Sequence, residues 1–185
     1  MKAKVNKVTI QIVQDDILAQ PVSGLVNSTD PNLLVNSALS AKAGPSLQQA
    51  CNAIGWCEVG SAVVTDAGDL KMEKVIHAVG PRWGEGSERG KLANVTLQCL
   101  RLAEQHHLKS LAIPAISTGT LGYPVENCAK TMLSQIIDFT FDAPRYLRAI
   151  IVCLDSPLAY QIFKAEFTTQ LEDLKETGEG EVTVV

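Results

Sequence analysis

The sequence predicts an α/β fold in which a mixed, mostly parallel sheet lies between two layers of helices. Short apolar runs, typical of buried strands, alternate along the chain with segments whose apolar residues recur at helical spacing. The length of 185 residues suits one domain of the usual ~100–200 residues. Because helices separate the strands, we expect a three-layer α/β/α sandwich whose sheet is covered on both faces.

About six strands are predicted from two kinds of pattern. The first strand alternates apolar and polar residues, as a half-buried or edge strand does, and the others are short continuous apolar runs typical of buried strands. In chain order they are Val8–Val13, Val22–Val26, Ala62–Thr65, Val75–Val79, Leu111–Ile116 and Ala149–Leu154.

Three long helices are predicted over residues 92–102, 125–139 and 158–171, where apolar residues recur every three or four positions. Residues 35–55 predict a further helix or pair of helices, interrupted at Gly44 and Pro45. We expect one domain over residues 1–171, followed by an acidic, mobile tail over residues 172–185. A short added strand at the end of the tail is the alternative.

The charge of the chain excludes some classes of partner. Five acidic residues against one lysine within residues 172–185 account for the whole formal net charge of −4. The near-neutral remainder lacks the basic stripe that general nucleic-acid binding needs, and no apolar run reaches the ~18 residues of a membrane span. We expect an intracellular, cytoplasmic or nuclear monomer with a small ligand and no membrane partner.

The cysteines and histidines do not predict a metal site. The five cysteines form no C-x-x-C pair, and Cys153 lies in an apolar strand where a thiol packs as a small hydrophobe. His77 lies in another apolar strand and is predicted to be a buried structural residue. His106 and His107 close a helix and have no partner that would complete a site. We therefore expect no metal, no cofactor and no catalytic cysteine.

Residues 111–124 combine a buried strand, a turn with glycines and the start of a helix. Gly119 and Gly122 can adopt positive φ and let backbone amides approach an anion, and the helix N-terminus adds about half a positive charge. This pattern predicts a site for an anionic ligand such as a nucleotide diphosphate. The alternative is an ordinary connection between a strand and a helix with turn glycines.

Three separated segments, Gln14–Ile17, Val75–Pro81 and Ala112–Pro124, resemble the macrodomain family in their order and spacing. The resemblance extends from about Val8 to Leu171. The second and third segments are most similar to the macrodomains of multi-macrodomain poly-ADP-ribose polymerases and of macro-histones, several of which are readers. The resemblance implies the macrodomain fold, with ADP-ribose bound at the carboxyl ends of the strands.

The resemblance also implies roles for individual residues. Asp16 matches the acidic residue that accepts a hydrogen bond from the adenine amino group, and Ile17 matches its neighbour in the same pocket. The alternative for Asp16 is a turn or cap residue after a strand. The matching loop, whose backbone amides hold the diphosphate, consists of Ser117, Thr118, Gly119, Thr120, Leu121 and Gly122.

Four further residues are placed at the ligand by the same resemblance. Tyr123 and Asn27 match positions beside the distal ribose, although a core tyrosine at a helix start is the alternative for Tyr123. Val35 matches the valine that opens the next helix. Leu154 takes the place of an aromatic residue that stacks on adenine, and aliphatic contact forfeits the ~1–3 kcal/mol per base that stacking can give.

The segment after the second predicted strand departs from the family pattern. The family usually has Val-Asn-Ala-Ala-Asn followed by a run of glycines, whereas residues 26–35 read VNSTDPNLLV. The glycine-rich first phosphate loop is therefore expected to be missing. The second asparagine corresponds to Asp30, and an ionised aspartate accepts hydrogen bonds but cannot donate them.

These departures predict a module that binds ADP-ribose, free or attached to protein as a mono- or poly-ADP-ribose mark, with weakened or absent catalysis, rather than an enzyme. The alternative is a hydrolase that removes ADP-ribose from protein or acetyl from O-acetyl-ADP-ribose, with Asn27 or Asp30 assisting the attacking water. The third hypothesis is a degenerate macrodomain scaffold that no longer binds ADP-ribose, because function resides in sites rather than in folds.

Overall fold

The computed structural model describes all 185 residues and contains one sheet of eight strands in the order β4-β5-β3-β6-β7-β2-β1-β8. The five strands from β5 to β2 in that order run parallel, while β4 and β1 run antiparallel to their neighbours. The strands are β1 Lys2–Val5, β2 Val8–Gln14, β3 Gly24–Thr29, β4 Ala62–Asp66, β5 Lys74–Val79, β6 Ser110–Pro114, β7 Ala149–Leu154 and β8 Val182–Val184.

Five α-helices and one short 3-10 helix, Ile17–Ala19, connect the strands. The predicted pair of helices after β3 is confirmed, and it breaks at Gly44 and Pro45. None of the five helices combines the length and the apolar character that a bilayer span requires. The helices are α1 Ser37–Ala43, α2 Pro45–Ile54, α3 Glu88–Gln105, α4 Val125–Thr140 and α5 Pro157–Thr177.

Consecutive residues of the central strands pack into different cores on the two faces of the sheet. Val26 and Ile113 join the main core, which α3, α4 and α5 cover. Their neighbours Leu25 and Ala112 join a smaller core under α1 and α2. Because both faces are buried, these strands need apolar residues at every position, which is why they appear as continuous apolar runs in the sequence. The predicted three-layer α/β fold is confirmed.

Strand β1, next to the edge of the sheet, was not predicted. In β1, two lysines alternate with Ala3 and Val5, and the pattern is too short to be distinguished from a loop. The strand forms because a two-residue turn at Asn6 and Lys7, with Asn6 at φ 54°, pairs it with β2.

The C-terminus differs from the expectation of a tail over residues 172–185. Helix α5 continues to Thr177 and ends at Gly178, and β8 then pairs antiparallel with β1. Leu174 and Val182 pack against the main core and so extend the apolar surface of the domain beyond Leu171. The alternative of a short added strand describes this segment better than the tail does.

A carboxylate near the end of α3 fixes the connection between α4 and β7. The two oxygens of Glu104 accept hydrogen bonds from the backbone N–H groups of Arg145, Tyr146 and Leu147 at 2.6, 2.8 and 2.9 Å. Partial burial raises the pKa of Glu104, but these backbone hydrogen bonds outweigh it, and the net pKa lies below the usual value. The ionised form of Glu104 therefore stabilises the fold.

We expect Glu104→Gln to lower the free energy of unfolding by about 1–3 kcal/mol, because the amide keeps one acceptor oxygen and loses the charge. Urea denaturation at pH 7 measures the loss. Since the folded pKa is depressed, the contribution is complete above the unfolded value of about 4.3 and disappears as the pH falls through the folded value. The difference from the wild type should therefore shrink in acid.

The matched control for this prediction is Glu172→Gln, at an exposed position of α5. Its effect on the free energy of unfolding should stay within about 0.5 kcal/mol. Equal stabilities of Glu104→Gln and the control variant at pH 7 would show that the three hydrogen bonds contribute nothing.

Candidate functional site

A cleft of about 790 Å³ lies at the carboxyl ends of the parallel strands β2, β3, β6 and β7. In an open α/β sheet this edge is the usual place for a ligand, because the connections from strand to helix diverge there. Two loops form its walls. We call residues 117–122, between β6 and α4, the β6–α4 loop, and residues 30–36, between β3 and α1, the β3–α1 loop.

The β6–α4 loop leaves three consecutive backbone amides without an acceptor in the protein. Hydrogen bonds close the turn from Gly122 N–H to Gly119 O at 3.0 Å and from Tyr123 N–H to Ser117 O at 2.9 Å. The N–H groups of Gly119, Thr120 and Leu121 have no such partner, and all three residues line the cleft. Successive free amides beside a helix N-terminus are a suitable site for an anion.

The position of this loop depends on close contact with the end of β5. Ser117 has φ 68° and is only 3% exposed, and its hydroxyl has no hydrogen-bond partner. The hydroxyl packs against Gly80, where a Cβ atom would overlap Ser117 Oγ and lie 2.6 Å from Ile116 Cγ2. The position that follows β5 therefore has to be a glycine for this contact with Ser117 to form.

The β3–α1 loop forms the opposite wall of the cleft without any glycine. Gln48 of α2 accepts a hydrogen bond from Val35 N–H at 2.8 Å and donates one to Leu33 O at 3.2 Å. Thr29 Oγ1 donates to Leu34 O at 2.6 Å. The expectation of a missing first loop is not confirmed, because side chains of β3 and α2 hold a loop at this position. The comparison with a glycine-rich sequence pattern did not reveal this loop.

Two polar side chains of this second wall keep unpaired atoms in the cleft. Asp30 Oδ1 accepts Asn32 N–H at 2.7 Å, and Asp30 Oδ2 has no protein partner. Asn36 Oδ1 caps α1 by accepting Leu39 N–H at 2.9 Å, so its amide nitrogen stays free to donate. Sequence reasoning missed Asn36, although an asparagine before a helical pattern is a recognisable capping signal.

The end of the cleft at β2 and β7 carries the acidic pair Asp15 and Asp16. Asp16 Oδ1 accepts Leu18 N–H at 2.9 Å as the cap of the 3-10 helix, and Asp16 Oδ2 has no protein partner. Burial, with a smaller contribution from both carboxylates, raises the pKa of Cys153 to about 12. This thiol lines the cleft, and its raised pKa favours the neutral form.

The structure brings most of the predicted site residues together. Leu154 is among them but is only 1% exposed, so it offers a purine little surface. The predicted residues that line the cleft are Asp16, Ile17, Asp30, Val35, Ser117, Thr118, Gly119, Thr120, Leu121 and Leu154.

Three predicted residues, Asn27, Gly122 and Tyr123, do not line the cleft. Asn27 is buried and its side-chain nitrogen lies 3.2 Å from Nδ1 of His77, whose pKa is lowered to about 4 by burial. Tyr123 is 2% exposed and packs edge-to-face on Trp83, with ring centroids 5.0 Å apart. Tyr123 is therefore the core tyrosine of the alternative, and Asn27 belongs to a buried hydrogen-bonded cluster.

Comparison with known proteins identifies the family. The model of the family described as Macro domain matches residues 26–132, which is more than half of the chain. The chain belongs to the Macro domain family. This finding agrees with the cleft at the strand ends and with the resemblance in the three sequence segments.

This macro domain is similar to several bacterial proteins. A protein of Enterobacter sp. (strain 638) named O-acetyl-ADP-ribose deacetylase is 41% identical over 80% of this chain and 88% of its own length. A protein of Salmonella typhimurium with the same name is 37% identical over 89% of this chain and 97% of its own. A mutant of the Oceanobacillus iheyensis macrodomain, solved with ADPR, superposes with a TM-score of 0.87 at 29% identity, covering 93% and 98% of the two chains.

These relatives correct two expectations. The expectation that the chain is not an enzyme is wrong, because relatives 37–41% identical to it are named for an enzymatic activity. The nearer likeness to macrodomains of poly-ADP-ribose polymerases and macro-histones is not confirmed. The first error came from weighing the absent glycines more heavily than the loop that occupies their place, and the second came from comparing only the segments Val75–Pro81 and Ala112–Pro124.

We expect Gly80→Ala to lower the free energy of unfolding by about 1–3 kcal/mol, because its methyl group has to displace Ser117 and Ile116. Urea denaturation measures the loss. Hydrogen exchange should also accelerate at the amides of Gly122 and Tyr123, which close the β6–α4 loop.

Gly90→Ala is the matched control, because a Cβ atom at Gly90 meets nothing within 4 Å and the residue lies in α3. In a helix this change should be neutral or stabilising by up to about 1 kcal/mol. If Gly80→Ala behaved like Gly90→Ala in both measurements, the contact with Gly80 would not be what holds the loop.

Proposed function

We propose that this macro domain hydrolyses the acetyl ester of O-acetyl-ADP-ribose and binds the ADP-ribose part in the cleft. The observation that carries the proposal is the run of three unpaired amides at Gly119, Thr120 and Leu121, placed between carboxylates at both ends of the cleft. The relatives named O-acetyl-ADP-ribose deacetylase and the Oceanobacillus iheyensis macrodomain with ADPR support it.

The diphosphate fits the middle of the cleft. The amides of Gly119, Thr120 and Leu121 can donate to its oxygens, and the start of α4 at Val125 adds the positive end of the helix dipole. On the opposite wall the N–H groups of Leu34 and Asn36 also have no acceptor in the protein. Donors from two walls would hold the diphosphate and set the direction of the molecule along the cleft.

The adenine fits the end of the cleft at β2 and β7. Asp16 Oδ2 can accept a hydrogen bond from the adenine amino group while Oδ1 keeps its capping bond to Leu18. Ile17 and the neutral thiol of Cys153 offer apolar contact to the ring. The distal ribose, with its ester, then lies at the other end, near Asp30 and Asn36.

Ester hydrolysis at that end requires a base for water and a donor for the developing oxyanion. We assign the base to Asp30 Oδ2, since Oδ1 is held by Asn32 and the carboxylate is therefore fixed in orientation. Water adds to the acetyl carbon as Asp30 takes its proton, and the free amide nitrogen of Asn36 can donate to the carbonyl oxygen. The intermediate then collapses as the bond from the acetyl carbon to the ribose oxygen breaks, and Asp30 returns its proton to that oxygen. The products are ADP-ribose and acetic acid, which ionises to acetate.

Asn27 has no part in this mechanism, because its side-chain nitrogen is directed to His77 in the interior. A second candidate reaction is release of ADP-ribose from protein. An ester of the distal ribose with an acidic side chain contains the same bond as the acetyl ester, and an open groove next to the β6–α4 loop favours this candidate.

We expect the wild-type protein to release acetate from O-acetyl-ADP-ribose and Asp30→Asn to lower kcat by about 10²–10⁴-fold, as loss of a general base does. Acetate release measures kcat, and calorimetry with ADP-ribose should show nearly unchanged affinity. Asp142→Asn makes the same change of charge at an exposed position away from the cleft and should leave kcat unchanged. A kcat for Asp30→Asn within threefold of wild type would remove Asp30 from the mechanism.

We expect Asp16→Ala to weaken binding of ADP-ribose about tenfold, since it removes the acceptor for the adenine amino group. Inosine diphosphate ribose has no amino group at that position, so its affinity should change little. Calorimetric titration of both ligands into both proteins measures the difference. Equal losses for the two ligands would mean that the adenine does not lie at Asp16.

A further inference from the structure

A second depression, of about 1010 Å³, lies between the start of α3 and the first three turns of α4. We call it the α3–α4 groove; its lining includes Trp83, Arg89 and Lys130. The groove lies next to the β6–α4 loop, because Trp83 N–H donates a hydrogen bond to the carbonyl oxygen of Leu121 at 2.9 Å and Tyr123, which follows the loop, lines the groove. Leu121 itself lines the cleft.

The strand order places the groove at the ester end of the cleft. In the sheet, β5 lies on the side of β3 that is remote from β7 and β2, and Trp83 follows β5. Asp16, assigned to the adenine, follows β2 on the opposite side. A nucleotide that lies in the cleft as proposed above therefore directs its distal ribose toward the groove, so this inference rests on the proposed function.

The aromatic part of the groove is rigid and accessible. Trp83 is 45% exposed, and its ring is held edge-to-face against Tyr123, which is buried in the main core. An exposed indole fixed by a buried neighbour costs little conformational entropy when it binds a partner, and tryptophan is enriched among residues that dominate binding energy.

The charged part of the groove is basic. Arg89 and Lys130 are exposed, and neither forms an ion pair. The nearby carboxylate of Glu88 accepts Gly84 N–H at 3.1 Å, and backbone hydrogen bonds from Glu88 itself and Gly84 lower its pKa. Because Glu88 is committed to the start of α3, the two cations are available to an acidic partner.

We propose that the α3–α4 groove binds the acidic polypeptide segment that surrounds an ADP-ribosylated aspartate or glutamate. Acidic side chains of that segment meet Arg89 and Lys130, and its apolar parts pack on Trp83. Asn127, Thr131 and Gln135 of α4 supply polar groups for its backbone. O-acetyl-ADP-ribose carries only a methyl group beyond the ester carbonyl, so it has no polypeptide to bind in the groove.

The test compares two substrates with the same ester. One is O-acetyl-ADP-ribose, and the other is a peptide ADP-ribosylated on glutamate and flanked by acidic residues. We expect the double variant Arg89→Glu with Lys130→Glu to raise the KM for the acidic peptide at least tenfold. For O-acetyl-ADP-ribose, KM and kcat should stay within twofold of wild type. Trp83→Ala should also raise the KM for the acidic peptide.

Two matched controls accompany these variants. Arg101→Glu reverses an exposed charge of α3 outside the groove, and Trp56→Ala removes a tryptophan that is 61% exposed and lines neither the groove nor the cleft. Neither should alter either KM. A modified peptide whose flanking acids are replaced by glutamine should bind the wild type more weakly and lose its sensitivity to the double variant.

Several outcomes would overturn the proposal. An unchanged KM for the acidic peptide in the double variant excludes the groove, while acetate release by the same protein leaves the proposed function intact. Equal losses with both substrates mean that the changes act on the loop rather than on a docked chain. Weaker binding of poly-ADP-ribose without weaker binding of the peptide would assign the groove to nucleotide units instead. If the wild type released no acetate, the proposed function itself would be wrong, and this outcome is distinct from those for the groove.

Discussion

The site depends on the contact between Ser117 and Gly80, which joins the ends of β6 and β5. Ser117 has a left-handed backbone conformation, and its hydroxyl can stay buried in this position only because Gly80 has no side chain at the point of contact. The turn that follows is then closed by its own hydrogen bonds at Gly122 and Tyr123, and the amides of Gly119, Thr120 and Leu121 have no acceptor left in the chain. Because these donors have no partner in the protein, no hydrogen bond within the chain has to break when an anion takes the place of water.

The β3–α1 loop on the opposite wall is also held in place, but by hydrogen bonds from side chains. Glycines let a backbone approach a ligand because they have no side chain, but they also leave a loop flexible. Here Gln48 bonds the loop on both sides of Leu34, and Thr29 bonds Leu34 itself. A loop held by side chains from α2 and β3 is fixed before a ligand arrives, which lowers the entropic cost of binding.

The parts of the structure that the sequence predicts are those set by local pattern. Continuous apolar runs indicated the buried strands, and the break at Gly44 and Pro45 separated α1 from α2. The parts that it did not predict depend on contacts between distant residues. Gln48 lies 13 residues from Val35, and Asn27 and Tyr123 could be placed behind the cleft only once His77 and Trp83 were seen beside them. Strands β1 and β8 are too short to carry a pattern, and they form because they pair with each other and with β2.

The arrangement of charges explains how a cleft with several carboxylates can accept a diphosphate. Asp15 and Asp16 follow β2, Asp155 follows β7 and Asp30 follows β3, and the unpaired amides of the β6–α4 loop lie between the carboxylates after β7 and β2 and the one after β3. A carboxylate beside the diphosphate would repel it, but in the proposed binding mode the carboxylates at the two ends would face the neutral parts of the molecule, where an acceptor is useful. One such acceptor would suit a purine amino group and the other a water molecule. Separation of acceptors from donors along one cleft would therefore allow the proposed binding of the anion and the proposed chemistry at its ester to coexist.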